Sequence, residues 1–180
     1  MSDSLVEQTI SSEDIASGRF IRIKKDIVLL PDGKQATREY VVHPGAVAIL
    51  ALDNNGKIVM ERQYRHSVAQ VMLEIPAGKL DPQELELDCA KRELFEETGY
   101  TSADWIYLGS CLPCIGYSTE RIAYFVARNI KSGIGQLDDG EFLEVILMPL
   151  EDVFNMAYCG ELPDSKTLSG LMLLHGYLQR

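Results

Sequence analysis

At 180 residues, with 46% hydrophobic and 24% charged content, the chain has the size and composition of one ordinary globular domain able to bury a core, which excludes a disordered or fibrous protein. Its formal net charge of −10 argues against a nucleic-acid or anionic-membrane surface, because neither could release its counterions to such a protein. The same charge sets a condition on any phosphate-binding role: local cations, meaning metal ions and a few placed arginines, must stand against the anion.

The opening MSDSLVEQTISSED has neither the positive flank nor the apolar run of a signal peptide, and no stretch reaches the roughly 18 apolar residues of a membrane span. A cytoplasmic protein is expected. The first fifteen or so residues are polar and read as loose. From Arg19, RFIRIKKDIVLL alternates, Pro31 to Lys34 form a turn, and ATREYVV resumes the alternation, which predicts a hairpin. AVAILALD and KIVMERQY are nearly continuous apolar strands joined by the turn Asn54-Asn55-Gly56. Together they predict a mixed central sheet buried on both faces.

A further strand near Val71 to Ile75 leads into a loop at Pro76-Ala77-Gly78, and Pro82 stands where a helix start tolerates it. Residues Glu84 to Thr98 are rich in helix formers and stop at Gly99, a favoured residue just past a helix end. WIYLGSC, RIAYFVAR and EVILMPL are three more strands, LEDVFNMAY is a short helix, and SKTLSGLMLLHGYL is a terminal helix capped by Asp164 or Ser165. Strands interleaved with few helices predict a sheet covered on both faces. Cys89, Cys111, Cys114 and Cys159 are too few for a disulfide framework, so reduced thiols are expected; Cys111 and Cys114 lack a second ligand pair for zinc.

The chemistry lies in the central helix. Glu93, Glu96 and Glu97 stand at i, i+3 and i+4, so their carboxylates share one face, beside an apolar stripe of Leu87, Ala90 and Leu94. Clustered carboxylates repel one another unless something positive stands among them, and oxygen ligands on a rigid scaffold suit Mg²⁺ or Mn²⁺. Arg92, four residues before Glu96, can pin that carboxylate without occupying a metal site. Most Glu-rich helical stretches are only solvated acidic faces. Here, however, GKLDPQELELDCAKRELFEETGY satisfies G-x5-E-x7-R-E-U-x-E-E-x-G-U at every position, U being a bulky apolar residue. Chance would match its fixed identities about once in 10⁸ start positions.

This segment resembles the Nudix box. The resemblance implies an α/β/α sandwich with a mixed central sheet that cleaves a nucleoside diphosphate linked to another moiety. It implies Mg²⁺, with Mn²⁺ an alternative, held by Glu93, Glu96 and Glu97 with help from the backbone carbonyl of Ala77. It also implies that Gly78 lets the loop turn tightly, and that Glu84 and Arg92 brace the helix. HPGAVAIL, ERQYR, LEIPAGKLD, IGYSTER and LDDGEFLEV extend the likeness, from about residue 38 to 178, to the ADP-ribose pyrophosphatase branch. Where that branch usually has a proline beyond the box, this chain has Ile115, with Pro113 just before it.

The resemblance further implies a mobile carboxylate that activates water, matched by Glu141 in QLDDGEF with Glu144 as fallback; Glu141, Glu96 and Arg92 are the catalytic candidates. Arg65 is the candidate cation for the substrate's phosphates, since a guanidinium binds phosphate in a bidentate fork. Glu74, Gly116 and Glu120 complete the substrate-binding set, and Tyr40 and Tyr117 could stack on a base. Residues 1–45 are expected to be a β-hairpin arm that covers its edges by homodimerisation, and residues 46–180 the catalytic domain. A GDP-mannose-type pyrophosphatase keeps the same mechanism with another pocket. A non-catalytic binding module of this fold should have lost box carboxylates, and an isomerase would need an added Cys and Glu.

Overall fold

A computed structural model describes residues 4–133, 140 and 142–180. The chain divides into two compact units, Met1–Gly45 with Cys114–Arg121, and Ala46–Pro113 with Ile122–Arg180.

The first unit is a three-stranded antiparallel sheet of β1 (Gln8–Ser17), β2 (Arg22–Leu29) and β3 (Gln35–Val42), in that order. The turn between β2 and β3 is the expected one: Gly33 takes φ 84°, and Asp32 accepts the Lys34 N–H. The added strand β1 replaces the loose terminus expected from sequence. Every β1 residue is exposed, and register shifts at Ile10 and Ile15 break the period of two, so nothing in its pattern announces a strand. Its place is marked by cross-strand charge, Glu13 with Lys25 at 3.5 Å and Asp14 with Arg22 at 3.4 Å. Residues 114–121 run beside the end of β3: the Val41 N–H donates to the Tyr117 carbonyl, and the Thr119 N–H to that of Val41. The Tyr40 hydroxyl donates to buried Asp26 at 3.1 Å, so this ring is part of the sheet rather than a free stacking platform.

The second unit contains, in chain order, β4 (Ala46–Ala51), β5 (Lys57–Arg65), β6 (Gln70–Glu74), β7 (Ala77–Lys79), α1 (Glu86–Thr98), β8 (Tyr100–Thr101), β9 (Asp104–Cys111), β10 (Ile122–Arg128), β11 (Lys131–Ser132), β12 (Leu143–Pro149), α2 (Leu150–Tyr158) and α3 (Ser165–Leu178). The sheet β7-β4-β10-β9 is mixed, with β4 parallel to β10 and the other pairs antiparallel. β12-β5-β6 is a separate antiparallel sheet. The turn at Asn54-Asn55-Gly56 therefore does not make a simple hairpin. A single bridge, Leu52 to Ile58, survives before β4 and β5 part into different sheets.

All six residues of β4 are buried because both of its faces are covered. Ala46, Ala48 and Leu50 join Val153 of α2 and Leu171 and Leu174 of α3 in one core. Val47, Ile49 and Ala51 join Cys89, Ala90 and Leu94 of α1 in the other. Helices on both faces of a mixed sheet make the α/β/α sandwich expected from the pattern. Each fully buried Leu or Ile side chain contributes roughly 1.5–3 kcal/mol.

The helix ends follow local chemistry. Gly99 closes α1 in the left-handed region, φ 72°, donating its N–H to the Phe95 carbonyl at 2.8 Å. At the other end α1 begins at Glu86, later than the composition suggests. Pro82 and Gln83 form a turn ahead of it, and Glu84 stays outside the helix, accepting the Asp81 N–H at 3.0 Å. Of the two possible caps of α3, Asp164 holds the position, accepting from the backbone N–H groups of Lys166 and Thr167.

Candidate active site

The site grows from the packing of α1 on the sheet. With Cys89, Ala90 and Leu94 inward, the helix turns Glu93, Glu96 and Glu97 toward β7 and its rim. Glu97 accepts the Ala77 N–H at 3.1 Å, so Ala77 meets this cluster through its amide. The Glu93 carboxyl lies so close to Gly78 that a Cβ there would stand 1.8 Å from its Cδ. Gly78 sits within β7 and is not among the residues of positive φ. Its need for glycine is close approach of a carboxylate, and not the tight turn expected from sequence.

Arg92 organises the charge. Its Nε and Nη2 donate to the two oxygens of Glu84 at 2.8 and 2.9 Å, while Nη1 donates to Glu93 and to Glu96, both at 2.9 Å. One guanidinium thus makes four hydrogen bonds to three carboxylates, one more than the three N–H donors of a lysine could supply. The Glu84 carboxyl is held down at about 2, first by the Arg92 hydrogen bonds, against an opposing effect of burial and with help from the Asp81 N–H. Arg92 is raised still further above its ordinary value, first by Glu84. Burial, reinforced by the negative charge of Glu84 and Glu93, pushes up the thiol of Cys89 inside the same motif, which removes it as a nucleophile.

Three carboxylates around one guanidinium, with Glu97 beside them on α1, leave an excess of negative charge on oxygen donors, a set suited to a hard divalent cation. Among the described residues no three His, Cys, Asp or Glu side chains already converge on a common point. Arg92 spans Glu93 and Glu96, and Glu97 is turned to Ala77. The donor chemistry nevertheless suits such an ion, which Glu93, Glu96 and Glu97 could hold.

Arg65, at the end of β5, makes a two-point ion pair with Glu74, Nε to Oε1 and Nη2 to Oε2, both at 2.8 Å. The Glu74 side chain is only 5% exposed and that of Arg65 42% exposed. The Arg65 guanidinium is raised above its usual value by the Glu74 hydrogen bonds, against burial, with added fields from Glu74, Glu97 and Asp164. Sequence reasoning did not pick out Lys166. Its ammonium donates to Glu74 at 3.0 Å and pairs with Asp164 at 3.0 Å. The only available signal was the cap signature Asp164-Ser165, which speaks of a helix start and not of a site.

Gly116 and Glu120 belong to the first unit. Glu120 faces His43 at 3.7 Å, and a Cβ at Gly116 would meet open space. Tyr117 is exposed, its hydroxyl donating to the Cys114 sulfur at 3.2 Å. Glu141 lies outside the described residues. Glu144 in β12 accepts from Arg62 at 2.6 Å.

The close approach at Gly78 generates a test that needs no substrate. Gly78→Ala should destabilise the fold by ~1–3 kcal/mol through overpacking against Glu93, and that loss should shrink sharply in a Glu93→Ala background. Urea denaturation of the four proteins measures it; equal losses in both backgrounds would refute the contact.

Comparisons with known proteins agree with this geometry. The NUDIX domain profile matches residues 42–169, and the profile of the nucleoside diphosphate sugar hydrolase N-terminal domain matches residues 7–41. An ADP-ribose pyrophosphatase of Bacillus subtilis is 39% identical over 173 residues, covering 95% of this chain and 94% of that protein. A methanol dehydrogenase activator of Bacillus methanolicus is 39% identical over 170 residues, covering 93% of this chain and 92% of that one. An ADP-ribose pyrophosphatase of Mycobacterium tuberculosis is 34% identical over 175 residues, with 93% and 83% covered. The fold superposes with a TM-score of 0.87 on the crystal structure of an ADP compounds hydrolase, 22% identical, over 99% of this chain and 97% of the other. Nudix hydrolases generally use divalent metal ions. With its box complete, its sandwich formed and its profile matched across most of its length, the chain belongs to the Nudix hydrolase family, as an ADP-ribose pyrophosphatase-like member.

Proposed function

We propose that this chain hydrolyses the diphosphate linkage of ADP-ribose or a related nucleoside diphosphate sugar with Mg²⁺, giving a nucleoside monophosphate and a sugar phosphate. The observation that carries the reading is the α1 carboxylate face set against Gly78, with Arg92 bridging Glu93 and Glu96. Bound by Glu93, Glu96 and Glu97, the metal would offset phosphate charge, polarise phosphorus and lower the pKa of a bound water. Arg92 holds Glu93 and Glu96 in orientation, and Glu84 fixes Arg92 in turn. Arg65, anchored on one edge by Glu74, offers its outer edge to the phosphates. Glu141 is the general base: it takes a proton from water as the water oxygen bonds to phosphorus, and the bridging P–O bond breaks toward the other phosphate. Likeness to two ADP-ribose pyrophosphatases supports the substrate class. A GDP-mannose pyrophosphatase of Shigella flexneri, 31% identical over 144 residues and covering 75% of this chain and 73% of that protein, makes GDP-mannose the comparison that matters.

A homodimer formed through the first unit completes the proposal. β1 leaves a fully exposed strand, and Ile10, Ile15 and Phe20 are each roughly half exposed, an arrangement that pairing with a second copy would cover.

In a phosphomonoester-release assay with Mg²⁺, kcat/KM for ADP-ribose should exceed that for nucleoside triphosphates by more than about tenfold, ~1.4 kcal/mol of differential transition-state binding. Chelation should abolish turnover, and Glu97→Gln should lower kcat at least ~10²-fold. A preference for GDP-mannose replaces the substrate, a preference for a triphosphate removes the sugar-nucleotide assignment, and near-normal turnover after metal stripping sinks the mechanism. Glu141→Gln should depress kcat far more than it raises KM, because the base acts mainly in the transition state; if Glu144→Gln does the damage instead, the base is Glu144. Light scattering at micromolar concentration should give the mass of a dimer, and a monomer there would refute the pairing.

A further inference from the structure

Glu74 takes two cations on one carboxylate. Arg65 occupies both oxygens, and Lys166 adds a third charged hydrogen bond to Oε2 at 3.0 Å. Lys166 is itself saturated: besides Glu74 it reaches Asp164 at 3.0 Å and the Ile75 carbonyl at 3.3 Å, and its side chain is 13% exposed. Three acceptors for three N–H bonds leave this ammonium nothing to offer a substrate. Its surroundings are rigid. Asp164 caps α3 and accepts from the Thr167 hydroxyl at 2.7 Å, while the Thr167 oxygen accepts the Ile75 N–H at 3.1 Å. A Cβ on Gly170 would stand 2.9 Å from Ile75 Cδ1, so α3 lies tightly against the strand end that leads to Ala77 and Gly78. Burial acts to raise the Glu74 carboxyl, but the Arg65 hydrogen bonds and the charges of Lys166 and Arg65 outweigh it, and the group lies below its ordinary range.

We infer that Lys166 is a positioning residue: by holding Glu74 and neutralising Asp164, it fixes the guanidinium of Arg65 with its outer edge toward a substrate diphosphate. This rests on the reading of Arg65 as the phosphate-facing cation. Without Lys166, buried Glu74 and part-buried Asp164 would share the single charge of Arg65, and the guanidinium would be drawn into the protein and away from the anion. Because Arg65 would touch the phosphates in ground state and transition state alike, the loss should fall on KM.

The test compares the wild type with Lys166→Met and Lys166→Arg, using ADP-ribose and Mg²⁺. Lys166→Met should raise KM about tenfold or more with kcat changed less than about threefold, and Lys166→Arg should return KM to within about threefold of wild type. An unchanged KM in Lys166→Met, or a loss in kcat alone, overturns the inference, as does a Lys166→Arg variant no better than Lys166→Met. Should Lys166→Met fail to fold, Lys166→Gln, which keeps a polar contact to Glu74 without the charge, carries the same criterion. If the wild type hydrolyses no nucleoside diphosphate sugar, the proposed function fails on its own. Calorimetric binding of inorganic pyrophosphate with Mg²⁺ then decides the inference: weaker binding by the variant, by about the same factor, supports it, and equal binding overturns it.

Discussion

Everything about the site depends on keeping three carboxylates, Glu84, Glu93 and Glu96, around the one guanidinium of Arg92. Left to themselves they would repel, and solvent would draw them apart. Arg92 prevents this by serving Glu84, Glu93 and Glu96 at once, with hydrogen bonds between 2.8 and 2.9 Å. The arrangement works because Glu84 lies outside the helix. Had α1 begun at Glu84, this carboxylate would be one more on the helix surface. Held in the preceding turn by the Asp81 N–H, it can meet Arg92 from the side and leave Nη1 for the other two.

The second requirement is that the helix be placed to within a fraction of an ångström of β7, since Glu93 fills the space a side chain at residue 78 would need. That placement comes from the core rather than from the charges. β4 pairs with β7 on one edge and buries Val47 and Ile49 against Cys89, Ala90 and Leu94 of α1. The same strand buries its other face against α2 and α3. Non-directional apolar packing thus fixes the distance, and the directional bonds of Arg92 fix the angles. Neither would give the site alone.

How much of this was legible in the sequence follows from how local each feature is. The box, its helix and the stop at Gly99 depend on residues a turn or two apart, so they could be read directly. The sandwich was legible because β4 and β10 are apolar throughout. β1 was not, since an exposed strand with two bulges shows neither burial nor alternation. The parting of β4 from β5 was also hidden, because a turn sequence says that the chain reverses and not that the strands stay paired. Gly78 was expected to serve a tight turn, whereas in the structure it makes room for a carboxylate. The neighbour that excludes a side chain there is Glu93, fifteen positions away, and only the packed structure brings it near.

Lys166 marks the limit of such reading most clearly. Glu74 and Lys166 are 92 residues apart, and nothing in LEIPAGK or DSKTL points from one to the other. The physical case that their contact serves function comes from energetics. Burying charges carries a desolvation cost that their attraction often fails to exceed, and well-packed apolar residues frequently stabilise such positions better. A fold that needed only stability could have filled the space between β6 and α3 with leucines, as it does deeper in the same core with Leu171 and Leu174. Here it places Arg65, Glu74, Lys166 and Asp164, two charges of each sign, in one linked group. What such a chain supplies, and leucines cannot, is a guanidinium with a defined orientation in a group whose charges balance. In a protein of net charge −10 that must hold a diphosphate, that is the scarcer commodity.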